Sequence, residues 1–329
     1  MVRVSDGSGQ SVLIITSKFD PHADHVIQIF KTREIPFFRL NTDDFHDDYT
    51  IAAHDRPFEL LFRDAWGRAH SYPAETRAVW HRKPVDPAHP KAVIDDATRN
   101  IVLQETNEFL TYPSAIDAAR WVNNPAANQH AQRKFPQLRL ASALGLRVPR
   151  TLITNDPSRA RDFQQEIDGP LICKSMKAQS FEESGRASFI FSRKVQAAEF
   201  QAHIDQIRHC PTFLQEYIQK DHELRVTVFG DKVFCCRIDS QSVAGAESDW
   251  RRIDPFKIPH RIVELDPAVE TALKAMMQDA GLLYGAFDLI VTPQGEAVFL
   301  ELNPNGQYLW IELITGAPLS QAMVDLLVA

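Results

Sequence analysis

A-F-D-L-I-V-T-P-Q-G-E-A-V-F-L-E-L-N-P-N-G, running from Ala286 to Gly306, is the stretch on which the fold turns. Two apolar runs flank Pro293-Gln294-Gly295-Glu296, turn chemistry that marks a β-hairpin. With those four residues as the loop, Thr292 pairs with Ala297 and Asp288 falls opposite Glu301. Side chains alternate along a strand, so Glu301 and Asn303 share one face while Leu300 and Leu302 point to the other.

Like charges directly opposite one another on a sheet repel, and here they stand roughly 5 Å apart. Such a pair, with an amide oxygen one step along, makes sense when a cation lies between. An all-oxygen ligand set suits Mg²⁺, which keeps several waters and takes other ligands from substrate phosphates. The alternative is an exposed sheet face carrying ordinary acids. The apolar opposite face, and the close of the strand at Asn303-Pro304-Asn305-Gly306, favour the metal.

The D…E-x-N arrangement on a C-terminal hairpin resembles the Mg²⁺-nucleotide site of the ATP-grasp superfamily. The wording F-L-E-L-N-P-N-G-Q-Y-L-W-I-E, residues 299–312, is closer still to the ATP-grasp peptide maturases that make graspetides, the microviridin-type ribosomal peptides. The likeness runs from Ser11 over nearly the whole chain. It implies an α+β protein with the ATP-grasp fold. An N-terminal Rossmann-like α/β domain would precede two C-terminal α+β subdomains that sandwich the nucleotide. The expected divisions are a disordered tail at 1–10, the N-terminal domain at 11–124, a central small subdomain at 125–212 and the C-terminal subdomain at 213–329.

Composition agrees with several domains of a soluble globular protein: 329 residues, 44% hydrophobic and 24% charged. A net charge of −7 argues against a nucleic-acid partner. No apolar run reaches membrane-spanning length, and residues 1–10 lack a signal-peptide core. No membrane partner is therefore expected, and a cytoplasmic location is. Cys173, Cys210, Cys235 and Cys236 have no metal-ligand spacing and read as reduced, buried thiols.

Strand, helix and strand signals at 12–15, 23–32 and 37–40 give a Rossmann-like opening, without the G-x-G-x-x-G of a dinucleotide pocket. Further strands are expected within 49–62 and at 78–81. The second of these ends in Trp80-His81-Arg82-Lys83-Pro84, similar to a motif of the same maturases. It offers either a substrate-carboxylate contact at Arg82 or a solvated strand end. Helices are expected at 95–111, 114–122, 128–145, 195–208, 267–281 and 317–327, and strands at 146–154, 170–174 and 213–218. Pro136 should bend or restart its helix and so set where Lys134 points.

Lys174 lies in an apolar run, where burial without a partner is costly, so an anion partner is favoured. The family likeness implies that Lys134 reaches the nucleotide phosphates and Lys174 the α/β-phosphates, under a loop at 175–186. Gln215, Glu216, Tyr217 and Ile218 would line an adenine slot, with backbone groups reading the base edge; a plain sheet strand is the alternative. Glu223-Leu224-Arg225 resembles the E/D-x-R of the superfamily. There Glu223 would be the ribose or hinge acid, and Arg225 would sit near the γ-phosphate or acyl phosphate, which its planar fork suits. Arg237 is a second cation for the transferring phosphoryl group, or a surface strand arginine. Asp288, Glu301 and Asn303 would hold Mg²⁺, and the cofactors implied are ATP and Mg²⁺.

The likeness implies an ATP-dependent ligase. It would activate Glu or Asp side chains of a ribosomal precursor peptide, leader plus core, as acyl phosphates. Thr or Ser hydroxyls would then close macrolactones, or Lys amines macrolactams. Such enzymes are commonly homodimers. Two alternatives remain: another ATP-grasp carboxylate-amine ligase that adds amino acids to a peptide or small acid, and a non-catalytic nucleotide-binding module that holds a leader peptide. The sequence has no Ser-His-Asp or Cys-His set at convincing spacing.

Overall fold

A computed structural model describes residues 10–88, 95–116, 119–176, 180–183, 186–189, 192–246 and 250–329. β1 (Ser11–Thr16) is apolar from Val12 to Ile15 because both its faces are covered, as in an inner parallel strand. α1 (Pro21–Thr32) starts at Asp20, whose carboxylate accepts the His22 and Ala23 N–H groups, with Pro21 in the first turn. β2 (Phe37–Asn41) completes the expected β-α-β unit. After α2 (Phe45–Asp48), the strands β3 (Tyr49–Asp55), β4 (Phe58–Asp64) and β5 (Ala69–Tyr72) form an antiparallel three-stranded sheet. β6 (Thr76–His81) returns to pair with β1.

Residues 95–122 depart from expectation. α3 (Asp96–Ala115) is one helix that carries Pro113 in its last turn, and Arg120–Val122 forms β7, parallel to β6, in place of a second helix. Val122 and Trp121 pack on opposite sides of the N-terminal sheet, so tertiary burial overrides the local helical pattern. The sheet order is β2-β1-β6-β7.

The expected helix at 128–145 is two helices, α4 (Pro125–Ala131) and α5 (Lys134–Ala143). Arg133 is extended between them (φ −77°, ψ 107°). Proline is best tolerated in the first turn of a helix, and the restart at Lys134 puts Pro136 there. Pro149 keeps the next strand short: β8 is Thr151–Thr154. α6 (Pro157–Ile167) leads to β9 (Leu171–Lys174). β10 (Ser180–Glu183) and β11 (Arg186–Phe189) make a separate hairpin, and β12 (Arg193–Val195) adds to β9. The amphipathic stretch at 195–208 is α7 (Ala197–His203) continued by a 3₁₀ turn, Ile204–His209. β13 (Thr212–Glu216) lies between β9 and β8 in a sheet ordered β12-β9-β13-β8, so a division after Glu216 keeps this sheet whole where one at 212/213 cuts it.

β14 (His222–Phe229), β15 (Lys232–Ile238), β16 (His260–Val263), α8 (Pro267–Asp279), β17 (Tyr284–Val291), β18 (Ala297–Asn303), α9 (Leu309–Thr315) and α10 (Leu319–Val328) complete the chain. Their five strands form an antiparallel sheet ordered β16-β15-β14-β17-β18. One face, with Leu224, Val226, Cys235, Phe287 and Phe299, packs on α5 and α8. The other, with Phe229, Cys236, Ile238 and Tyr284, joins the core of the N-terminal sheet and α10. No described helix is long and apolar enough to cross a membrane. All four cysteines are free; Cys235 and Cys236 are buried, Cys173 is half-buried, and Cys210 is exposed, contrary to expectation, where the 3₁₀ turn ends.

Candidate functional site

The hairpin at 286–306 forms, with its register set by a bulge. Val291 pairs with Ala297, so the loop is one residue longer than the turn chemistry implies, and Leu289 pairs with Phe299. One extra residue, Leu300, then shifts the register, and Asp288 arrives opposite Glu301 after all. Arg225 is the partner of Asp288 on β14, so Arg225, Asp288 and Glu301 form one row across three strands. Nη1 of Arg225 donates to Asp288 Oδ1 (2.8 Å) and Nη2 to the Gln307 carbonyl (3.0 Å). Nδ2 of Asn303 donates to Asp288 Oδ2 (2.9 Å) and to Glu301 Oε1 (3.2 Å).

Lys134 reaches the row around the outer edge of β18, the last strand of its sheet. Gln137, one turn further along α5, pairs with the backbone of Leu302 in both directions, Nε2 to the carbonyl and N–H to Oε1, each at 2.8 Å. That clamp sets α5 against the strand. Lys134 Nζ then lies 3.1 Å from Glu301 Oε2 and donates to the Ser175 carbonyl (3.2 Å). Lys174, at the end of β9, stands 5.1 Å over the Phe213 ring and acts electrostatically on Glu301. Burial would raise the pKa of Glu301, but Lys134 and Lys174 together outweigh it and hold the carboxyl below its ordinary range. Asp288 goes the other way: burial raises it, against the pull of Arg225. The two facing acids are thus driven apart, one firmly ionised and one prone to hold a proton. For Lys174 itself burial dominates and lowers the pKa to about 8.

The other expected residues divide. Glu223 shares the face of Arg225; Lys220 and Ser240 both donate to its Oε1, and burial raises its pKa. Gln215 donates to Thr151 Oγ1 (2.9 Å), and Glu216 accepts the Arg150 N–H (3.1 Å). Tyr217 lies under Lys194, 3.6 Å from ring centroid to Nζ, and Ile218 follows at the strand's end. Arg237 is not part of the set. It pairs with Leu224, so it projects from the opposite face of the sheet, where Asp239 (2.6 Å) and Asp221 (3.4 Å) hold it. Parity along β15 decides this, and that parity was not fixed by the motif. Arg82 is neither a solvated strand end nor open to a substrate. It is 1% exposed, and its Nη1 donates to the carbonyls of Asn305 (2.8 Å) and Gly306 (3.3 Å).

The loop after β18 has further anchors that no motif marked. Tyr284 Oη donates to the Gly306 carbonyl (2.6 Å), and His22 Nε2 accepts the Tyr308 and Leu309 N–H groups (3.0 and 3.1 Å). Burial, then Arg82, lowers the His22 pKa to about 2, so the ring stays neutral and keeps this acceptor. Asn123 donates to the carbonyls of Tyr284 and Pro304. Asn123-Asn124-Pro125 was visible as a boundary, and His22 only as an unplaced histidine. Gly306 is obligatory by space: a Cβ there would stand 2.6 Å from Nη2 of Arg225 and run into the Cβ of Ala286.

Among the described residues no group of three or more His, Cys, Asp or Glu gathers as a metal site. The donor set is two carboxylates and an amide, which suits a hard cation. Turning the Asn303 amide over would present Oδ1 in place of Nδ2. Nε of Arg225 is buried and donates to nothing among the described residues, an orphan that fits an incoming anion.

No protein-family model matches the chain. A probable α-L-glutamate ligase of Mannheimia succiniciproducens is 25% identical over 206 residues, 62% of this chain. The match spans 65% of that relative's own length. Solved structures cover far more. A RiPP-associated ATP-grasp ligase of Chryseobacterium gregarium, in complex with ADP and a leader and core peptide, superposes with a TM-score of 0.88 at 25% identity, covering 97% of this chain and 96% of that one. The macrocyclase MdnC of Microcystis aeruginosa, bound with precursor peptide MdnA, gives 0.85 at 29% identity over 97% and 99%. The mixed helix and strand architecture expected from the resemblance is the one these structures share.

Proposed function

From the premise that this chain has the fold of the ATP-grasp ligases that mature ribosomal peptides, we propose that it activates Glu or Asp side chains of a precursor peptide as acyl phosphates and closes macrolactone or macrolactam rings. One observation carries the chemistry: Arg225, Asp288 and Glu301 stand in one row, with Asn303 one step along the same face and Lys134 and Lys174 converging on it. The barrier to joining carboxylate and triphosphate is that two anions must meet. Lys134 and Lys174 would take the phosphates. Arg225, with its free Nε, would hold the transferring phosphoryl group, and Glu216 to Ile218 the base edge, with Glu223 at the ribose. Asp288, Glu301 and the Asn303 amide oxygen would hold Mg²⁺, which supplies charge neutralisation across the phosphates. The reading includes a homodimer, carried over from the family likeness, and the cytosolic setting expected from the sequence. The net charge of −7 supports a peptide rather than a nucleic-acid partner.

Incubated with its precursor, ATP and Mg²⁺, the enzyme should remove one water per ring while ADP accumulates. Unchanged peptide mass without ADP would sink the proposal. The glutamate-ligase relative favours a second reading, addition of amino acids to a peptide or small acid, for which mass would rise.

Lys174 makes the nucleotide step pH-sensitive. Its free-state pKa, about 8, lies below the ordinary lysine value, and a phosphate beside it should raise it again. ADP binding should therefore take up a proton above about pH 8 and weaken as pH rises. Calorimetry near pH 9 in two buffers of different ionisation heat measures that uptake, and Lys174→Met should remove it.

A further inference from the structure

The outer edge of β18 is closed at two points, one on each side of the bulge at Leu300. Before the bulge, the Phe299 N–H donates to the Arg147 carbonyl (2.9 Å), where the chain just past α5 runs parallel to the strand at Val298. After it, the Gln137 amide takes both backbone groups of Leu302, as a further strand would. The same Nε2 donates to the carbonyl of Ala131 (2.5 Å), the last residue of α4. Gln137 is 5% exposed, and its orientation is fixed: turning the amide over would set Oε1 against two carbonyl oxygens.

What these closures hold is a choice of face. Leu289 pairs with Phe299, so an unbroken ladder would next set Leu300 opposite Asp288. Glu301 and Asn303 would then point to the apolar side, because a slip of one residue exchanges the two faces of a strand. The bulge prevents that, and it does so in the last strand of its sheet, which has a neighbouring strand on one side only. Leu302 lies between the two donor residues and is 3% exposed, packed in the core under α5. One turn of α5 thus makes two contacts with adjacent residues of β18. Lys134 meets the Glu301 carboxylate, and Gln137 meets the Leu302 backbone.

We propose that Gln137 is a positioning residue for the metal-binding face: acting as a surrogate strand at Leu302, it locks the bulged register, so that Glu301 and Asn303 stand with Asp288 and can share one divalent cation. The assignment rests on the ligase reading above and adds to it the residue that holds the donors in place. Groups behind metal ligands fix their orientation, and losing one costs about 10–100-fold in metal affinity.

Two measurements on the full chain test it, and neither reads turnover. Without metal or nucleotide, hydrogen exchange at the Leu302 amide should be about tenfold faster in Gln137→Met than in the wild type. With ADP present, Mn²⁺ standing in for Mg²⁺ and followed by electron paramagnetic resonance should bind about 10–100-fold more weakly to that variant. Leu138 and Ala141 still hold α5 in the core, so ADP binding in chelator should change by less than about threefold. Met323→Ala, in the core around α10, loses stability without touching the clamp and should leave both affinities unchanged. Gln137→Glu adds a pH signature. Protonated, its carboxyl can donate to the Leu302 carbonyl and accept the Leu302 N–H; ionised, it has no donor. Burial favours the protonated form, so its Mn²⁺ deficit against the wild type at the same pH should shrink severalfold between about pH 8 and about pH 6. Equal Mn²⁺ affinity in Gln137→Met and the wild type, a matching loss in Met323→Ala, or a Gln137→Glu deficit that ignores pH overturns the role of Gln137 and leaves the ligase reading standing. A wild type that binds ADP but no Mn²⁺ beside it overturns both.

Discussion

Glu301→Gln should lower ADP production in the presence of precursor by about a thousandfold or more while the chain stays folded. The carboxylate is the strongest anion of the row, because Lys134 and Lys174 hold it ionised against its own burial. Glutamine keeps the shape and removes the charge that would attract the metal. The same change releases Lys134 from its 3.1 Å ion pair, so nucleotide binding measured in chelator should hold or improve. The signature is therefore a split: Mg²⁺-dependent turnover collapses while Mg²⁺-free ADP binding survives. Turnover with the wild-type metal dependence would show that the row is a structural ion-pair network only.

Arg82→Met should be the most damaging single change to stability outside the hydrophobic cores. Removing one partner of a buried charge network costs about 3–5 kcal/mol, because the other partner is left behind uncompensated. Here Asp20 loses its nearby cation, and the carbonyls of Asn305 and Gly306 lose a donor. The damage should spread to the site, since the same loop supplies the Gln307 carbonyl that holds Nη2 of Arg225. A lowered unfolding midpoint, with turnover reduced even at temperatures where the variant is folded, is the expected result. A midpoint within experimental error of the wild type would mean that Tyr284, His22 and Asn123 suffice to hold the loop.

The Asp288–Glu301 pair shows how a local reading succeeds by two compensating steps. Turn chemistry made the loop one residue too short, and the bulge at Leu300 restored the pairing. A bulge depends on how a strand twists against its neighbours, so it leaves no mark in a short stretch of sequence. Arg237 shows the reverse. A linear reading leaves it either a second cation for the phosphoryl group or a surface strand arginine, and pairing with Leu224 assigns it to the face away from Arg225. The helix at 114–122 failed because Trp121 and Val122 earn their burial from distant cores, a long-range gain that outweighs local propensity.

The sequence by itself determined the β-α-β opening, the C-terminal hairpin with its D…E-x-N side chains, a bend or restart of the helix around Pro136, and through their wording the likeness to the ATP-grasp maturases. These are decided by residues a few positions apart, where proline geometry, turn chemistry and strand alternation act directly on the backbone. Only the tertiary structure decided that Lys134 comes around the edge of β18 to Glu301, that Arg82 is buried as a pin, and that His22 and Asn123 anchor the loop beyond the hairpin. Each of those outcomes is a charge or hydrogen bond made across a sheet edge or between domains, and its energy depends on burial and on partners more than a hundred residues away in the chain.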